Sequence, residues 1–175
     1  GRNLFVINAE ATPGVRAWDE GKALAKSTLD RYYRKHGEYP RKVSYTFWAG
    51  EFIETEGANL AQALYMLWGA PVRDGMNRVT DLRLIPSAEL GRPRIDVVVQ
   101  TSGQLRDVAA SRLELLTKAV KMVAQSENDT CGNYVSEGTV ESERILLEKG
   151  FSPKESRELS TVRVFGGAGY GTGIT

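Results

Sequence analysis

Ile95-Asp96-Val97-Val98-Val99-Gln100 (IDVVVQ) decides the fold. A near-continuous run of β-branched apolar residues is the mark of a central strand covered on both faces, because a strand with one wet face alternates with polar residues. Thr101-Ser102-Gly103 follows, and then a long helix is predicted from about Gln104 to Gln125. Its Leu105, Val108, Ala109, Leu113, Leu116, Ala119, Val120 and Val123 trace one apolar stripe. A buried strand that feeds an amphipathic helix is the unit from which mainly parallel α/β sheets are built.

Upstream the same alternation recurs. Asn3 to Asn8 (NLFVIN) reads as a buried strand, Ala9 to Gly14 as a loop, and Val15 to His36 as a helix closed by Gly37. Val43 to Trp48 (VSYTFW) reads as a further strand, Ala49-Gly50-Glu51 as a short turn, and Thr55 as the N-cap of a helix through Trp68. Pro71 to Arg73 is a short extended piece, Val79 to Ile85 (VTDLRLI) alternates like an edge strand or one face of a hairpin, and Pro86 to Gly91 is a turn or a single helical turn. Downstream, Ser126 to Gly132 is polar loop, a helix covers Tyr134 to Lys149, Ser152-Pro153 opens a short one, and Thr161 to Thr175 ends in glycines. The expected architecture is a three-layer α/β fold, flavodoxin-like, with a mainly parallel sheet and helices on both faces. It is placed in residues 1–125, with a helical and Gly-rich extension over 126–175 that leads to the next part of a longer subunit.

Composition narrows the function. The chain has 175 residues, 23 Lys+Arg against 22 Asp+Glu, and a net charge of +1, which gives neither a nucleic-acid footprint nor a polybasic membrane patch. No apolar run approaches the roughly 20 residues that span a bilayer. The single Cys131 excludes an internal disulfide and points to a reducing, cytoplasmic setting. One cysteine and one histidine do not build the usual nitrogen–sulfur zinc site. The first residue is not Met, a strand is predicted at once, and the last residues fade into glycine, so the chain is expected to be cut from a longer polypeptide.

Ligands on such sheets bind beyond the carboxyl ends of the strands, so the loops Ala9 to Gly14, Ala49 to Thr55 and Thr101 to Asp107 compete for the site. The phosphate-loop pattern G-x-x-x-x-G-K-[ST] is absent, and no helix follows the glycines from Gly166 to Gly173. His36 is explained as a cation in a helix's last turn, and Cys131 has no basic neighbour to activate it. Glu51, Glu54 and Glu56 put three carboxylates at a ligand-facing loop, where they stabilise a helix N-terminus or serve as proton acceptors or a cation site. Arg106 opposes the dipole at the start of its helix, which points to an anion or a buried partner, beside Asp107 and Ser102. Arg92 and Arg94 are expected at the amino end of the sheet in structural salt bridges.

Leu90-Gly91-Arg92-Pro93-Arg94-Ile95-Asp96-Val97-Val98-Val99, then Ser102-Gly103-Gln104-Leu105-Arg106-Asp107, resembles the large, tetrapyrrole-binding subunit of the metal chelatases, in the CobN-type cobaltochelatase and magnesium chelatase lines. Gly1-Arg2-Asn3, Trp48 with Gly50, Ala61 to Leu64, Arg78-Val79, Leu84 to Pro86, and Arg163 to Gly166 with Tyr170 to Gly173 extend the likeness across the chain. The resemblance implies part of an ATP-dependent ligase that forms nitrogen–metal bonds, inactive alone. Its substrates would be Co²⁺ or Mg²⁺ and a ring, hydrogenobyrinic acid diamide or a protoporphyrin. Its partners would be an AAA+ ATPase subunit that hydrolyses ATP, a second chelatase subunit and the rest of its own large subunit. Glu51, Glu54 and Glu56 would then be catalytic, with Asn3, Trp48, Ser102, Arg106 and Asp107 on the ring; the residues name no metal ligands. Where the family usually shows Trp-Gly-Thr and then Thr-His-Gly-Glu, this chain has Trp48-Ala49-Gly50 and then Thr55-Glu56-Gly57-Ala58, so a carboxylate stands in place of an imidazole. The competing reading is a non-catalytic scaffold, or a tetrapyrrole-binding module of a diverged paralogue.

Overall fold

The computed structural model describes residues 8–166. The expected opening strand up to residue 7, with Asn3, and the glycines from Gly167 onward lie outside the described residues.

Three strands form a parallel sheet in the order β1 (Lys42–Phe47), β4 (Asp96–Thr101), β5 (Val164–Gly166). The IDVVVQ run is its central strand, as its unbroken apolar character requires. Register aligns Phe47, Thr101 and Gly166, so all three strands end at one level. A separate antiparallel pair, β2 (Gly69–Arg73) and β3 (Val79–Leu84), realises the hairpin expected from the alternation in VTDLRLI.

Val97 and Val99 of β4, with Tyr45 and Phe47 of β1, face the main core, which α3 (Ala58–Leu67) and α5 (Gly103–Ala124) complete. Seven of the ten residues of α3 are buried, because α1 (Val15–His36) covers its other side through Ala17, Gly21, Ala25 and Leu29 at four-residue intervals. On the opposite sheet face lie α6 (Tyr134–Glu148) and α7 (Pro153–Ser160), giving the three-layer α/β architecture with a mainly parallel sheet. Residues beyond 125 thus supply both the outer helices and the third strand. Caps set the helix starts. Ser102 accepts the Leu105 N–H, Asn133 accepts the Ser136 N–H, and Ser152 with Glu155 closes a capping box ahead of Pro153.

Two expectations need correction. Ala49-Gly50-Glu51 is the first turn of a short helix, α2 (Ala49–Glu54), because Phe52 buries against the core and draws the segment into helical form. The next helix therefore begins at Ala58, after left-handed Glu56 and Gly57, although the Thr55 hydroxyl still accepts the Ala58 N–H at 3.2 Å. Pro86 to Gly91 does contain the single helical turn, α4 (Ser87–Leu90).

Arg92 and Arg94 also part company. Arg94 makes the expected ion pair, with Asp129 at 2.8 Å, and donates to the carbonyls of Leu67, Trp68 and Ile85. Arg92 has no carboxylate partner among the described residues; it donates to the carbonyls of Tyr65 and Met66 and lies over the Tyr65 ring. The pair thus serves the carbonyl end of α3, where helix carbonyls lack intrahelical donors and the dipole favours cations.

Candidate functional site

Because the strands of the parallel sheet end together, Trp48 leaves β1 beside Ser102 leaving β4. Trp48 is 58% exposed, unusual for the largest apolar side chain, while Ser102 is committed to capping α5. Glu51 and Glu54 sit on α2 with exposed side chains, and Glu51 Oε1 accepts a hydrogen bond from Asn59 Nδ2 at 3.1 Å. Asp107 is exposed on the first turns of α5. Arg106, one residue before it, donates from Nη2 to the Gly166 carbonyl at 3.1 Å, while its buried Nε has no acceptor among the described residues. The partner that the dipole argument demanded is thus in part the carbonyl at the end of β5.

Glu56 is exposed too, but it stands against a different loop. Its backbone is left-handed, with φ of 54°, and its carbonyl accepts the Gly14 N–H at 3.1 Å, tying the Ala9–Gly14 loop to the residue just after the Ala49–Thr55 loop. Its carboxylate lies over Gly14: a Cβ added there would stand 2.5 Å from Glu56 Oε2. Gly14 caps α1 without a side-chain acceptor for the helix's first N–H groups. Together Asn8, Ala11, Thr12, Gly14, Val15, Arg16, Ile53, Glu56 and Asn77 line an open hollow of about 490 Å³. An acid, a guanidinium, two carboxamides and the free N–H end of a helix converge on it, a set able both to accept protons and to hold an anionic side arm.

Arg106 lines a different hollow, of about 230 Å³, between α5 and the α7–β5 connection, with Glu114, Lys121, Glu158 and Thr161. The structure therefore brings Glu56 together with the Ala9–Gly14 loop but does not bring Arg106 into that hollow. Among the described residues no three His, Cys, Asp or Glu side chains converge as a metal-ion site, so the glutamates do not form a preassembled cation cage.

Residues that carry the hollow and escaped the sequence reading are Arg73 and Arg112. Arg112 Nη1 donates to the Thr12 and Val79 carbonyls, each at 3.0 Å, and Arg73 Nη2 donates to the Pro13 carbonyl at 2.6 Å. Burial pushes both guanidiniums below their ordinary pKa, with Glu10 pulling Arg112, and Asp19 pulling Arg73, back upward. Arg112 could have been found: it falls on the apolar face of its helix, next to Leu113 and three residues after Ala109, where a charge demands a buried partner. Arg73 carries no such signal.

A third hollow, also about 490 Å³, is mostly apolar and lies on the outer sheet face, lined by Val98, Ile145, Leu146, Phe151, Leu159 and Phe165 with Lys42 and Arg163 at its border.

A parallel α/β sheet with its polar hollow beyond the strands' carboxyl ends is the arrangement of a ligand-handling domain. The family model for CobN/Magnesium Chelatase matches residues 1–175, and the chain belongs to that family. It is 34% identical to the aerobic cobaltochelatase subunit CobN of Sinorhizobium sp., over 95% of this chain and 13% of that protein. It is 36% identical to the chloroplastic magnesium-chelatase subunit ChlH of Oryza sativa subsp. indica, over 96% of this chain and 12% of that protein. The solved catalytic subunit of cobaltochelatase from Mycobacterium tuberculosis superposes with a TM-score of 0.81 at 37% identity, covering 91% of this chain and 13% of that one. The chain thus spans about an eighth of the length of these relatives. No helix among the described residues is long and apolar enough to cross a membrane.

Proposed function

We propose that this chain is part of the large subunit of an ATP-dependent metal chelatase, a ligase that forms nitrogen–metal bonds by inserting Co²⁺ or Mg²⁺ into a tetrapyrrole. The observation that carries the reading is family membership over the whole chain. The ring would be hydrogenobyrinic acid diamide or a protoporphyrin. An AAA+ partner and a second chelatase subunit would supply ATP hydrolysis in the cytoplasm, and the segment alone would be inactive. The rest of the large subunit would pack against the apolar outer hollow, where Ile145 and Phe151 stay exposed beside α6 and α7.

Insertion removes two inner N–H protons from the ring, strips water from the ion and bends a stiff macrocycle. Glu56, in the polar hollow, is the group best placed to accept a proton, with Glu51 and Glu54 on the adjoining helix relaying protons or the hydrated ion. Trp48 offers an exposed ring for stacking, and Ser102, Arg106 and Asp107 would meet the ring's polar arms; Asn3, expected on the ring as well, lies outside the described residues. The metal and ring are substrates here, not resident groups.

The test uses the large subunit that carries this segment, assembled with its ATPase partners. Glu56→Gln is expected to slow metal insertion by roughly 10²-fold or more with ATP hydrolysis unchanged, the range for loss of a positioned proton acceptor. An unaltered insertion rate in the Glu51→Gln/Glu54→Gln/Glu56→Gln triple variant would overturn the catalytic assignment. The second reading, a scaffold or a ring-binding module without chemistry, draws support from the absence of a converging carboxylate trio among the described residues.

A further inference from the structure

We infer that Arg73 and Arg112 are positioning residues: a two-pronged clamp on the Thr12–Pro13 carbonyls that holds Glu56 in the polar hollow. The inference rests on the reading that this hollow handles the ring.

The clamp is built from two separate elements. Arg73 comes from the end of β2, where the hairpin register jumps: Val72 pairs with Asp81 but Arg73 pairs with Val79, skipping Thr80. Such a bulge re-aims the side chain beside it. Arg112 comes from α5, three residues after Ala109, whose φ of −140° breaks the helical run. The two side chains take the carbonyls of consecutive residues, Thr12 and Pro13, and Arg112 also holds the carbonyl of Val79 opposite Arg73.

Ion pairing does not explain this arrangement. Among the described residues the nearest carboxylate to Arg112 is the exposed Glu10, at 3.9 Å, and Arg73 Nη1 is buried with no acceptor. One buried cation, Arg112, and one half-buried cation, Arg73, are instead held on loop carbonyls, a costly use unless the loop's position matters. What the loop positions is Glu56. The next residue in the loop, Gly14, donates its N–H to the Glu56 carbonyl, and Thr12 Cγ2 packs against Gly57 so closely that a Cβ there would overlap it. Glu56 and Gly57 are both left-handed, with φ of 54° and 87°. A non-glycine residue keeps that conformation only where its surroundings over-determine it. The chain of contacts therefore runs from Arg73 and Arg112, through Thr12 to Gly14, to the glutamate.

Amide hydrogen exchange and ring titration of the large subunit that carries this segment test the clamp together. Arg73→Met is expected to speed exchange at the Gly14 amide at least tenfold and to leave Leu64, inside α3, unchanged. In fluorescence titrations with free-base protoporphyrin, its loss of affinity should match that of Glu56→Gln, and the double variant should lose no more than either. Gly14→Ala, which pushes the carboxylate aside without touching either arginine, should copy Glu56→Gln. Unchanged Gly14 exchange in Arg73→Met, or additive losses in the double variant, would overturn the clamp. If wild type and Glu56→Gln bind the ring equally, or neither binds it, the reading of the hollow fails, while Gly14 exchange still decides whether the arginines hold the loop. Arg112 is too buried to rely on a folded Met variant, which is why the decisive substitution falls on Arg73.

Discussion

Arg94 shows what a single buried charge does in this chain. Its side chain is 2% exposed, and its guanidinium is shared between Asp129 and the carbonyl end of α3. Arg94→Met leaves Asp129 buried without its cation, and loss of one partner of such a pair costs roughly 3–5 kcal/mol. Urea unfolding should register that loss as a lower midpoint at unchanged slope. Asp74 makes an opposite, surface case at the hairpin turn. It accepts from the Arg78 and Met76 N–H groups and from Arg78 Nε, and these donors, the Arg78 backbone N–H foremost, hold its carboxyl below the ordinary aspartate value. A depressed folded pKa means that the contribution is complete above the unfolded value and vanishes as pH falls through the folded one. An NMR titration should therefore find Asp74 below a free aspartate, and Asp74→Asn should flatten the acid limb of the stability curve.

Among elements, α1 and α3 approach each other closely. A Cβ on Gly21 would stand 2.5 Å from Ala61 Cβ and 2.9 Å from the Ala58 carbonyl, so the two helices touch through glycine. Gly21→Ala gains about 1 kcal/mol of helix propensity but forces backbone apart, and overpacking of this kind costs about 1–3 kcal/mol. A net fall in thermal midpoint is expected, against the rise that an exposed helix glycine would give. The sequence could show the helices and strands because their signals are local: the valine run of β4, the small residues four apart in α1, the Ser-Pro start of α7. It could not show that Ala49 begins a helix, since that depends on Phe52 finding the core. Nor could it separate Arg92 from Arg94. The two differ only in what lies across the fold, the acid Asp129 for one and bare carbonyls for the other.

At the scale of the whole molecule, family and architecture were legible from the LGRPRIDVVV and SGQLRD runs, whereas the site was legible only in part. Three glutamates close in sequence were read as one group, but only Glu56 has its carboxylate in the hollow, because a helix intervenes and turns Glu51 toward Asn59. Arg106 faces another hollow because β5 closes beside it, a pairing between residues 60 positions apart. Two hollows of equal volume then offer themselves to a flat ring, the polar one at Glu56 and the apolar one over the outer sheet face. A paramagnetic cobalt(II) protoporphyrin, titrated against the large subunit with this segment isotopically labelled, separates them through distance-dependent broadening of amide signals. The account predicts saturable broadening at Gly14, Arg16, Glu56 and Asn77 that leaves Ile145, Phe151 and Phe165 sharp. Broadening centred on Ile145, Phe151 and Phe165, with Gly14 and Glu56 untouched, would contradict it.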